Sequence, residues 1–221
     1  MFWKKRKMAY ELDRKPALNT SLEELSFIVF DTETTGFAIG SKDRLIEIGA
    51  VLVENLTVTD KTFQTYVYPN RLIPDDIVEL TAIDNEMVRN APQALEAIED
   101  FFAFIEKCGC DGIVGHYISF DLMVLKKELA REKFTYETPL NFDTLNLIGF
   151  LSPSWDMRDL EDYSRTFSTN IYQRHSAIGD ALTTAHLFVE LLRLIKGRGK
   201  NTLGDIIQIS EALDKSRTLQ F

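Results

Sequence analysis

The segment that most clearly could carry out chemistry reads DTETTG, from Asp31 to Gly36. It contains two acidic residues separated by a single position. They directly follow a short apolar run, Phe27–Phe30, which is typical of a strand buried on both faces. In a strand, this spacing places the carboxylates of Asp31 and Glu33 on one face, at the carboxyl end where open α/β sheets bind ligands. Paired carboxylates repel each other unless a cation neutralises them, and hard ions such as Mg²⁺ favour oxygen ligands. A polar strand end that enters a turn has the same pattern, so the pair alone does not establish a metal site.

Two later segments each add an acid near the start of a predicted helix. The first, from His116 to Asp121, follows a short apolar run at residues 113–114. The second, from His175 to Asp180, opens a strongly amphipathic stretch, with its acid on the polar side. Acids near a helix N-terminus are also stabilised by the helix macrodipole, so each segment has a purely structural explanation. Together, the three segments supply four acids and the histidine His175 from separate parts of the chain, which favours a composite metal site.

The hydrophobic pattern predicts the elements that must position these residues. Besides the first strand, β-like runs cover four segments, the last of them a brief edge strand: Leu45–Val53, Thr62–Tyr68, Gly112–Gly115 and Asn141–Thr144. Helical spacing covers three segments: Ala94–Ile105, Asp121–Arg131 and Ile178–Ile195. Three early strands followed by alternating helices and short strands predict an α/β fold, with a mixed central sheet and helices on both faces.

Length and composition bound the domain organisation. The chain has 221 residues, of which 45% are hydrophobic and 27% charged, and these values suit one globular domain with its own core. Residues 1–24 are polar and lack periodicity, so we expect an N-terminal extension, then the main domain over residues 25–197. A C-terminal tail follows over residues 198–221, and its apolar residues are compatible with a short helix from Leu203 to Leu213.

Charge and cysteine content exclude some classes of protein. The net charge of −9 argues against a protein that coats nucleic acid non-specifically, but it suits an enzyme that holds a few nucleotides through metal ions. Cys108 and Cys110 are the two cysteines, and a zinc site needs about four ligands, so we expect two reduced thiols and a cytoplasmic location. No apolar run has the length of a signal peptide or a membrane span, so we expect no membrane partner.

The three acidic segments resemble the motifs of the DnaQ-like family of 3′→5′ exonucleases, in the DEDDh branch whose third motif carries a histidine. That family has D-x-E, then H-N-x-x-F-D, then H-x-x-x-x-D, in this order and at similar separations. The matching residues here are Asp31, Glu33, Asp121, His175 and Asp180. The resemblance covers residues 27–195, including the segment Ile46–Ala50 after the first motif. It implies the ribonuclease H-like α/β architecture.

The resemblance implies hydrolysis of phosphodiester bonds with two divalent metal ions, Mg²⁺ or Mn²⁺, as cofactors. Asp31 would bridge the two ions, and Glu33, Asp121 and Asp180 would complete their shells. His175 would be the general base, since an imidazole titrates near neutrality and can take a proton from the attacking water. All five residues are therefore predicted to be catalytic.

The resemblance also implies which residues face the terminal nucleotide. Polar and small residues would contact it and aromatic rings would stack on bases: Thr32, Thr34, Thr35, Gly36, Phe37, Thr81 and Phe120. Ordinary core packing explains the two phenylalanines as well, and for Phe120 the two interpretations have equal support. Two positions depart from the family pattern. Tyr117 stands where the family usually has asparagine, and Thr81 stands where many proofreading members have histidine.

The leading hypothesis is an exonuclease that acts on DNA, either as a proofreading subunit or as a free repair enzyme. The alternatives are an RNA-trimming exonuclease of the same fold and a catalytically weak module that binds nucleic acid. The complete set of acids argues against the last of these. Proofreading would require a DNA polymerase as partner. A sliding clamp is a second candidate partner, because residues 208–213 are faintly similar to a clamp-binding peptide, although a packed helix is sufficient to explain them.

Other polar residues near the motifs have open roles. Asp143 either lies beside the acids or belongs to a helix N-cap with Thr144, and His186 is interpreted as structural. The basic residues closest in sequence to the motifs and loops are candidates for phosphate contacts or are solvated charges: Arg44, Arg71, Arg158 and Arg174. The basic residues at positions 4–7 are interpreted as a solvated tail, with a weak contact to nucleic acid or lipid headgroups as the alternative.

Overall fold

The computed structural model describes residues 5–153 and 159–218. Within them the strands are β1 (Arg6–Lys7), β2 (Ser26–Thr34), β3 (Leu45–Glu54), β4 (Thr57–Tyr66), β5 (Gly112–Gly115), β6 (Phe134–Thr135) and β7 (Asn141–Asp143). The α-helices are α1 (Asp75–Thr81), α2 (Ala94–Cys108), α3 (Ile118–Arg131), α4 (Thr144–Leu151), α5 (Leu160–Thr166), α6 (Ala177–Gly197) and α7 (Leu203–Thr218). None of the described helices is both long and apolar enough to cross a membrane.

The central sheet has five strands in the order β4-β3-β2-β5-β7. β3 pairs in antiparallel fashion with both β2 and β4, whereas β5 pairs in parallel with both β2 and β7. Short turns suffice for the antiparallel pairs, while each parallel pair requires a longer crossover. Helix α2 lies in the crossover from β4 to β5, and α3 lies in the crossover from β5 to β7. The predicted α/β class with a mixed central sheet is confirmed.

Helices cover both faces of the sheet because β2 is apolar on both sides. Phe27 and Val29 belong to a core shared with α4, α6 and α7. Ile28 and Phe30 belong to a second core, shared with α2 and α3. Burial of one such side chain contributes roughly 1.5–3 kcal/mol relative to its exposure, so this one strand anchors both helical layers. The carboxyl end of β2 is thereby fixed between them.

Gly49 on β3 determines how closely α6 approaches the sheet. It lies opposite Asp31 in the ladder, and a Cβ atom at this position would lie 2.2 Å from the carbonyl carbon of Ala177. Any side chain here would therefore push away the first turn of α6. That turn is also tied to β3, since the N–H of Ala177 donates to Oε2 of Glu47 at 2.8 Å. β3 thus fixes the start of α6 beside the end of β2.

The predicted elements are all present, and α4 begins where the N-cap interpretation of Asp143 and Thr144 placed a helix. Two further short helices, α1 and α5, lie in segments where no helix was predicted. α1, α4 and α5 have seven or eight residues each, which is too short for helical periodicity to stand out. α4 is also apolar around most of its circumference, because most of its residues are buried. In addition, α3 begins at Ile118 rather than at Asp121, and β4 begins at Thr57 and ends at Tyr66.

The residues predicted as an N-terminal extension pack against the domain over part of their length. β1 pairs in parallel with β6, and Met8 and Leu12 are buried in the core that contains α2 and α3. Arg14 forms a 2.7 Å ion pair with Asp111. Residues 5–7 are exposed, but the Arg6 guanidinium lies over the Phe134 ring at 4.4 Å and Lys7 forms a 2.6 Å ion pair with Glu137. The expectation of a solvated tail is therefore wrong for these two residues, and residue 4 lies outside the described residues. The segment's buried apolar residues among those described, Met8, Leu12 and Leu22, are irregularly spaced, so its sequence shows no periodicity.

The C-terminal helix is longer than predicted. α7 extends from Leu203 to Thr218, and Leu203, Ile206 and Ile209 are buried against the first core. Residues 208–213 lie inside this helix, with Leu213 packed against the same core. They therefore form the packed helix that was the alternative interpretation, and in this conformation they do not present a free peptide to a sliding clamp.

Candidate active site

The alternation of β2 brings its two acids to the face covered by α6. Asp31 and Glu33 continue the odd-numbered positions that line the first core. A carboxylate oxygen of Glu33, a ring nitrogen of His175 and a carboxylate oxygen of Asp180 all lie within 4.8 Å of one another. The first and third motifs therefore meet in space, as the sequence predicts.

Asp121 reaches the same place from the opposite layer. It lies in the first turn of α3, which packs on the other face of the sheet, and it is only 3% exposed. Oγ1 of Thr32 donates a 2.6 Å hydrogen bond to Oδ1 of Asp121. Because Thr32 alternates with the two acids of β2, this bond links the carboxylate from α3 to the end of that strand.

The third motif folds back over the first turn of α6. Asp180 is buried, and its Oδ2 accepts a 3.2 Å hydrogen bond from the backbone N–H of His175. Its Oδ1 accepts a hydrogen bond from the guanidinium of Arg174. His175 has a φ of 57°, a left-handed conformation in which histidine is enriched among non-glycine residues. This local turn holds the imidazole next to the carboxylate.

Burial raises the pKa values of all four acids, and repulsion from neighbouring acids of the cluster adds to it at Asp31 and Glu33. Burial is the largest cause in each case, and it raises the pKa of Glu33 to about 8 and that of Asp121 to about 7. The pKa of Asp31 lies well above its usual range, because repulsion from the other three acids adds to burial. For Asp180, burial raises the pKa and the Arg174 guanidinium opposes that rise.

The chemistry of these residues fits divalent cations. Carboxylate oxygens are the ligands that Mg²⁺ prefers in proteins. A nearby cation also reduces the repulsion between the carboxylates and thereby lowers their pKa values. The arrangement also suits a second role for His175. The ring nitrogen of His175 lies close enough to the oxygens of Glu33 and Asp180 to share an ion with them, although the resemblance implied a general base rather than a ligand.

The loop after the first motif is organised by Asp43, a residue that the sequence analysis missed. Its carboxylate accepts hydrogen bonds from the N–H of Ala38 and the guanidinium of Arg71, both at 2.8 Å. Gly36 has a φ of 140°, and a Cβ atom there would lie 2.6 Å from Oδ2 of Asp43. Gly36 therefore permits both an unusual turn and a close approach. An acid at the end of a glycine-containing loop was the only available signal.

The hydroxyl groups of the four threonines predicted to contact substrate are engaged inside the protein. Thr34 donates to the carbonyl of Gly36 at 2.9 Å, and Thr81 donates to the carbonyl of Ile77 at 2.8 Å. The other two, Thr32 and Thr35, donate to the carboxylates already described. All four residues are buried. In this conformation they shape the site, and their contacts with substrate stay a prediction.

A cavity of about 310 Å³ adjoins the acids. Asp31 and Asp121 line it together with three aromatic residues, Phe37, Tyr117 and Phe120. The ring of Phe37 is 84% exposed and meets the ring of Phe120 edge to face, with centroids 5.8 Å apart. Phe120 also packs against the second core, so both interpretations of this residue apply. The cavity offers an apolar surface directly beside the carboxylates.

Tyr117, which departs from the family pattern, occupies the N-cap position of α3 with a φ of 61°. Asparagine adopts this left-handed conformation more readily than an aromatic residue does, so the usual family residue suits the backbone better. The tyrosine is 41% exposed, and its ring lies edge-on to that of His116 at 5.5 Å. The substitution thus adds an aromatic side chain at the cavity.

Three of the four basic candidates form ion pairs, and the fourth, Arg158, lies outside the described residues. The pairs are Arg44–Glu128, Arg71–Asp43 and Arg174–Asp180. The first two tie loops to buried acids, so they are not solvated surface charges. The third lies within the site itself.

The remaining candidates are explained by local packing. Asp143 is the N-cap of α4 and accepts the N–H of Leu145 at 3.0 Å, while its charge also raises the pKa of Asp121. His186 stacks on the ring of Tyr172 at 5.6 Å. Both cysteines are free thiols, as predicted, and burial raises the pKa of the Cys110 thiol to about 12.

Comparison with known families matches residues 28–188 to the RNase T family, described as exonuclease. Curated relatives include the PolC-type DNA polymerase III of Bacillus subtilis, 35% identical over 91% of this chain. The 3′-5′ exonuclease DinG of the same species is 33% identical over 84% of the chain, and a DNA polymerase III subunit epsilon-like protein of Rhodobacter capsulatus is 34% identical over 85%. The chain spans only 14%, 19% and 27% of these relatives, respectively.

Solved structures share the architecture. Exonuclease X in complex with 5′-overhanging duplex DNA has a TM-score of 0.63 at 21% identity, covering 83% of this chain and 99% of that one. The nuclease domain of 3′hExo, a DEDDh family member bound to rAMP, has a TM-score of 0.68 at 17% identity, covering 79% and 94%. At these identities the likeness is one of fold, and it confirms the predicted ribonuclease H-like architecture.

Proposed function

Because the chain belongs to the RNase T family of exonucleases, we propose that it is a metal-dependent enzyme that removes nucleotides one at a time from the 3′ end of a strand. The observation that carries this proposal is the convergence of Glu33, His175 and Asp180 within 4.8 Å. Asp31 and Asp121 add two further acids with raised pKa values. Buried carboxylates that repel one another are unfavourable unless a cation neutralises them, and a module that only binds nucleic acid does not require such a cation.

We propose that the four acids would hold two divalent ions, Mg²⁺ or Mn²⁺, with Asp31 as one of the ligands. Glu33, Asp121 and Asp180 would complete the two shells. When bound, such ions stabilise negative charge on phosphate oxygens and lower the pKa of bound water. Four ionised carboxylates balance the charge of two dications, so the loaded site would accept an anionic phosphate without strong repulsion.

His175 would take the proton of the attacking water at a ring nitrogen. Its imidazole lies beside Glu33 and Asp180, and its backbone N–H is held by Asp180 at 3.2 Å. The same position is compatible with a metal ligand, which is the alternative role. The two roles predict different effects of substitution on metal affinity, so one variant distinguishes them.

The aromatic cavity would hold the terminal bases. Phe37, Tyr117 and Phe120 line it next to Asp31 and Asp121, so a base stacked there would place its phosphate near the acids. Stacking contributes roughly 1–3 kcal/mol per base and tolerates any sequence. This arrangement suits an enzyme that must remove every kind of nucleotide.

DNA is the substrate that we propose, for proofreading or repair. This choice is supported by two relatives, one named DNA polymerase III PolC-type and the other 3′-5′ exonuclease DinG. The domain would act either beside a DNA polymerase or as a free nuclease. RNA is the second candidate, because the nuclease domain of 3′hExo is bound to rAMP. The free thiols suit action in the reducing cytoplasm.

A product ladder tests the proposal. The purified chain is incubated with 5′-labelled single- and double-stranded DNA and RNA in Mg²⁺ or Mn²⁺, next to a folded Asp31→Ala variant. We expect a ladder that shortens by single nucleotides, faster on DNA, and almost none with the variant or with EDTA. Activity of the variant close to wild type would contradict the assignment, and faster RNA degradation would favour the second candidate.

A further inference from the structure

Arg174 occupies one side of a carboxylate that the proposed function requires for metal binding. Its Nη1 donates to Oδ1 of Asp180, and the two side chains are only 21% and 9% exposed. The second oxygen of Asp180 accepts the N–H of His175 at 3.2 Å. Both oxygens of this carboxylate are therefore engaged by hydrogen-bond donors.

The backbone holds Arg174 in this position. A Cβ atom on Gly179 would lie 2.0 Å from the carbonyl oxygen of Gln173, so the segment before α6 packs directly on the first turn of the helix. The left-handed conformation of His175 reverses the chain immediately after Arg174. Gly179 and this reversal together place the guanidinium over Asp180.

The other two described arginines near the loops are bound differently. Arg44 donates three hydrogen bonds to Glu128, which is 1% exposed. Arg71 bonds both the Asp43 carboxylate and the carbonyl of Lys42. Arg174 has one hydrogen-bonded partner among the described residues, Asp180, so its guanidinium can leave at the cost of a single contact.

The charges of the site indicate what would release the Arg174 guanidinium from Asp180. The charge of Arg174 opposes the rise in the pKa values of Asp31 and Glu33 as well as that of Asp180, so the guanidinium acts on three of the four acids. Cations bound by the four acids would repel this guanidinium. A phosphate that enters the site would attract it, because guanidinium and phosphate form strong charge-assisted hydrogen bonds.

We propose that Arg174 is an exchangeable counter-ion, which neutralises Asp180 before metal binds and transfers to a phosphate oxygen of the substrate afterwards. The proposal rests on the proposed function, because it requires divalent ions at the four acids. It makes metal and substrate binding linked events. The metal displaces the arginine, and the displaced arginine then increases the affinity for the strand.

The test compares Arg174→Gln with wild type in two binding measurements without turnover. Calorimetry with Mn²⁺ alone should show tighter metal binding by the variant, on the order of tenfold, the scale of one charged hydrogen bond that no longer competes. Fluorescence anisotropy with a single strand carrying non-hydrolysable 3′-terminal linkages, at saturating Mn²⁺, should show weaker binding. The slope of the logarithm of the binding constant against the logarithm of the salt concentration should also be shallower for the variant, by about 0.7. This is the value for one lost phosphate contact on a single strand.

Arg89→Gln is the matched control, because it removes the same charge from an exposed pair with Glu86. It should change neither measurement. Unchanged or weaker Mn²⁺ binding by folded Arg174→Gln, or unchanged strand binding at saturating metal, would overturn the proposal. Failure of the proposed function looks different, since the wild-type chain itself would then bind no Mn²⁺ at the acids.

Discussion

Thr32 and Asp121 join the two layers of the site, because the threonine hydroxyl donates a 2.6 Å hydrogen bond to Oδ1 of the aspartate. Burial raises the pKa of Asp121 to about 7, and the bond from Thr32 opposes this rise. The hydroxyl therefore favours the ionised carboxylate and fixes its direction. Its position between Asp31 and Glu33 indicates that the first motif orients the acid of the second.

Replacing this hydroxyl with a methyl group tests that role. Thr32→Val keeps the volume and the β-branched shape, so we expect a folded protein. Metal affinity and turnover should fall by about 10–100-fold, the usual effect of losing a hydrogen bond that orients a metal ligand. Thr32→Ser keeps the donor and should recover most of the loss. If Thr32→Val binds Mn²⁺ as tightly as wild type, the hydrogen bond does not position Asp121 for metal binding.

Gly49→Ala probes the contact between β3 and α6. The new Cβ would lie 2.2 Å from the carbonyl carbon of Ala177, so the first turn of α6 must shift and carry Asp180 with it. We expect a loss of about 1–3 kcal/mol in the free energy of unfolding, together with weaker metal binding. Urea unfolding and a Mn²⁺ titration measure the two effects.

Gly197→Ala is the control for that substitution, because a Cβ at the end of α6 meets nothing within 4 Å. It should leave stability unchanged or raise it by about 0.5–1 kcal/mol. Equal stability of the Gly49→Ala protein and wild type would show that α6 does not need this close approach.

The raised pKa values predict how pH acts on the metal-free protein. The pKa of Glu33 rises from 4.5 to about 8 on folding, so the folded state binds more protons than the unfolded chain between these values. The free energy of unfolding should therefore fall as pH rises through this window. Metal binding displaces the same protons, so the stability gained from Mg²⁺ should grow with pH.

Thermal midpoints measured in EDTA and in Mg²⁺ from pH 5 to pH 8.5 test this expectation. Glu33→Gln cannot ionise at this position and should show a shallower decline in EDTA. A metal-free protein that becomes more stable with rising pH across the window would mean that the acids are not held protonated by burial.

His175→Ala separates its two candidate roles. A general base contributes about 10²–10⁴-fold to the rate, so single-turnover hydrolysis should slow by that factor while Mn²⁺ affinity changes little. We expect this outcome. A large loss of metal binding with an intact chemical step at saturating Mn²⁺ would instead make His175 a ligand, as its distance from Glu33 and Asp180 allows.

The strands and the acids could be predicted because their signals are local. β2 is a continuous apolar run that ends in Asp31 and Glu33, and both the strand and the shared face follow from that pattern. Asp121 and Asp180 lie in the first turns of α3 and α6, whose apolar spacing is recognisable in the sequence. Their convergence depends on the order of the strands, whereas the resemblance implied only a mixed central sheet with helices on both faces.

The contacts that hold these acids in place could not be predicted, because they join residues far apart in sequence. From the sequence, Thr32 is expected to direct its hydroxyl toward the substrate. The hydrogen bond to Asp121 becomes apparent only when α3 packs on the face of β2 that carries its even-numbered residues. Gly49 has no local signal at all, since its role depends on a helix that begins at Ala177. In the sequence, Arg174 likewise resembles a solvated charge. Its pairing with Asp180 depends on the reversal of the chain at His175.

The measurement that tests the central claim most directly is the degradation of a single strand with one end blocked. A 5′-labelled DNA strand ending in a 3′ phosphate, a 3′-hydroxyl strand with a blocked 5′ end, and a circular single strand are each incubated with the protein and Mn²⁺. We predict rapid shortening of the strand with the free 3′ hydroxyl, strong inhibition by the 3′ phosphate and no cleavage of the circle. Protection by the 5′ block, or cutting of the circle, would contradict a 3′→5′ exonuclease.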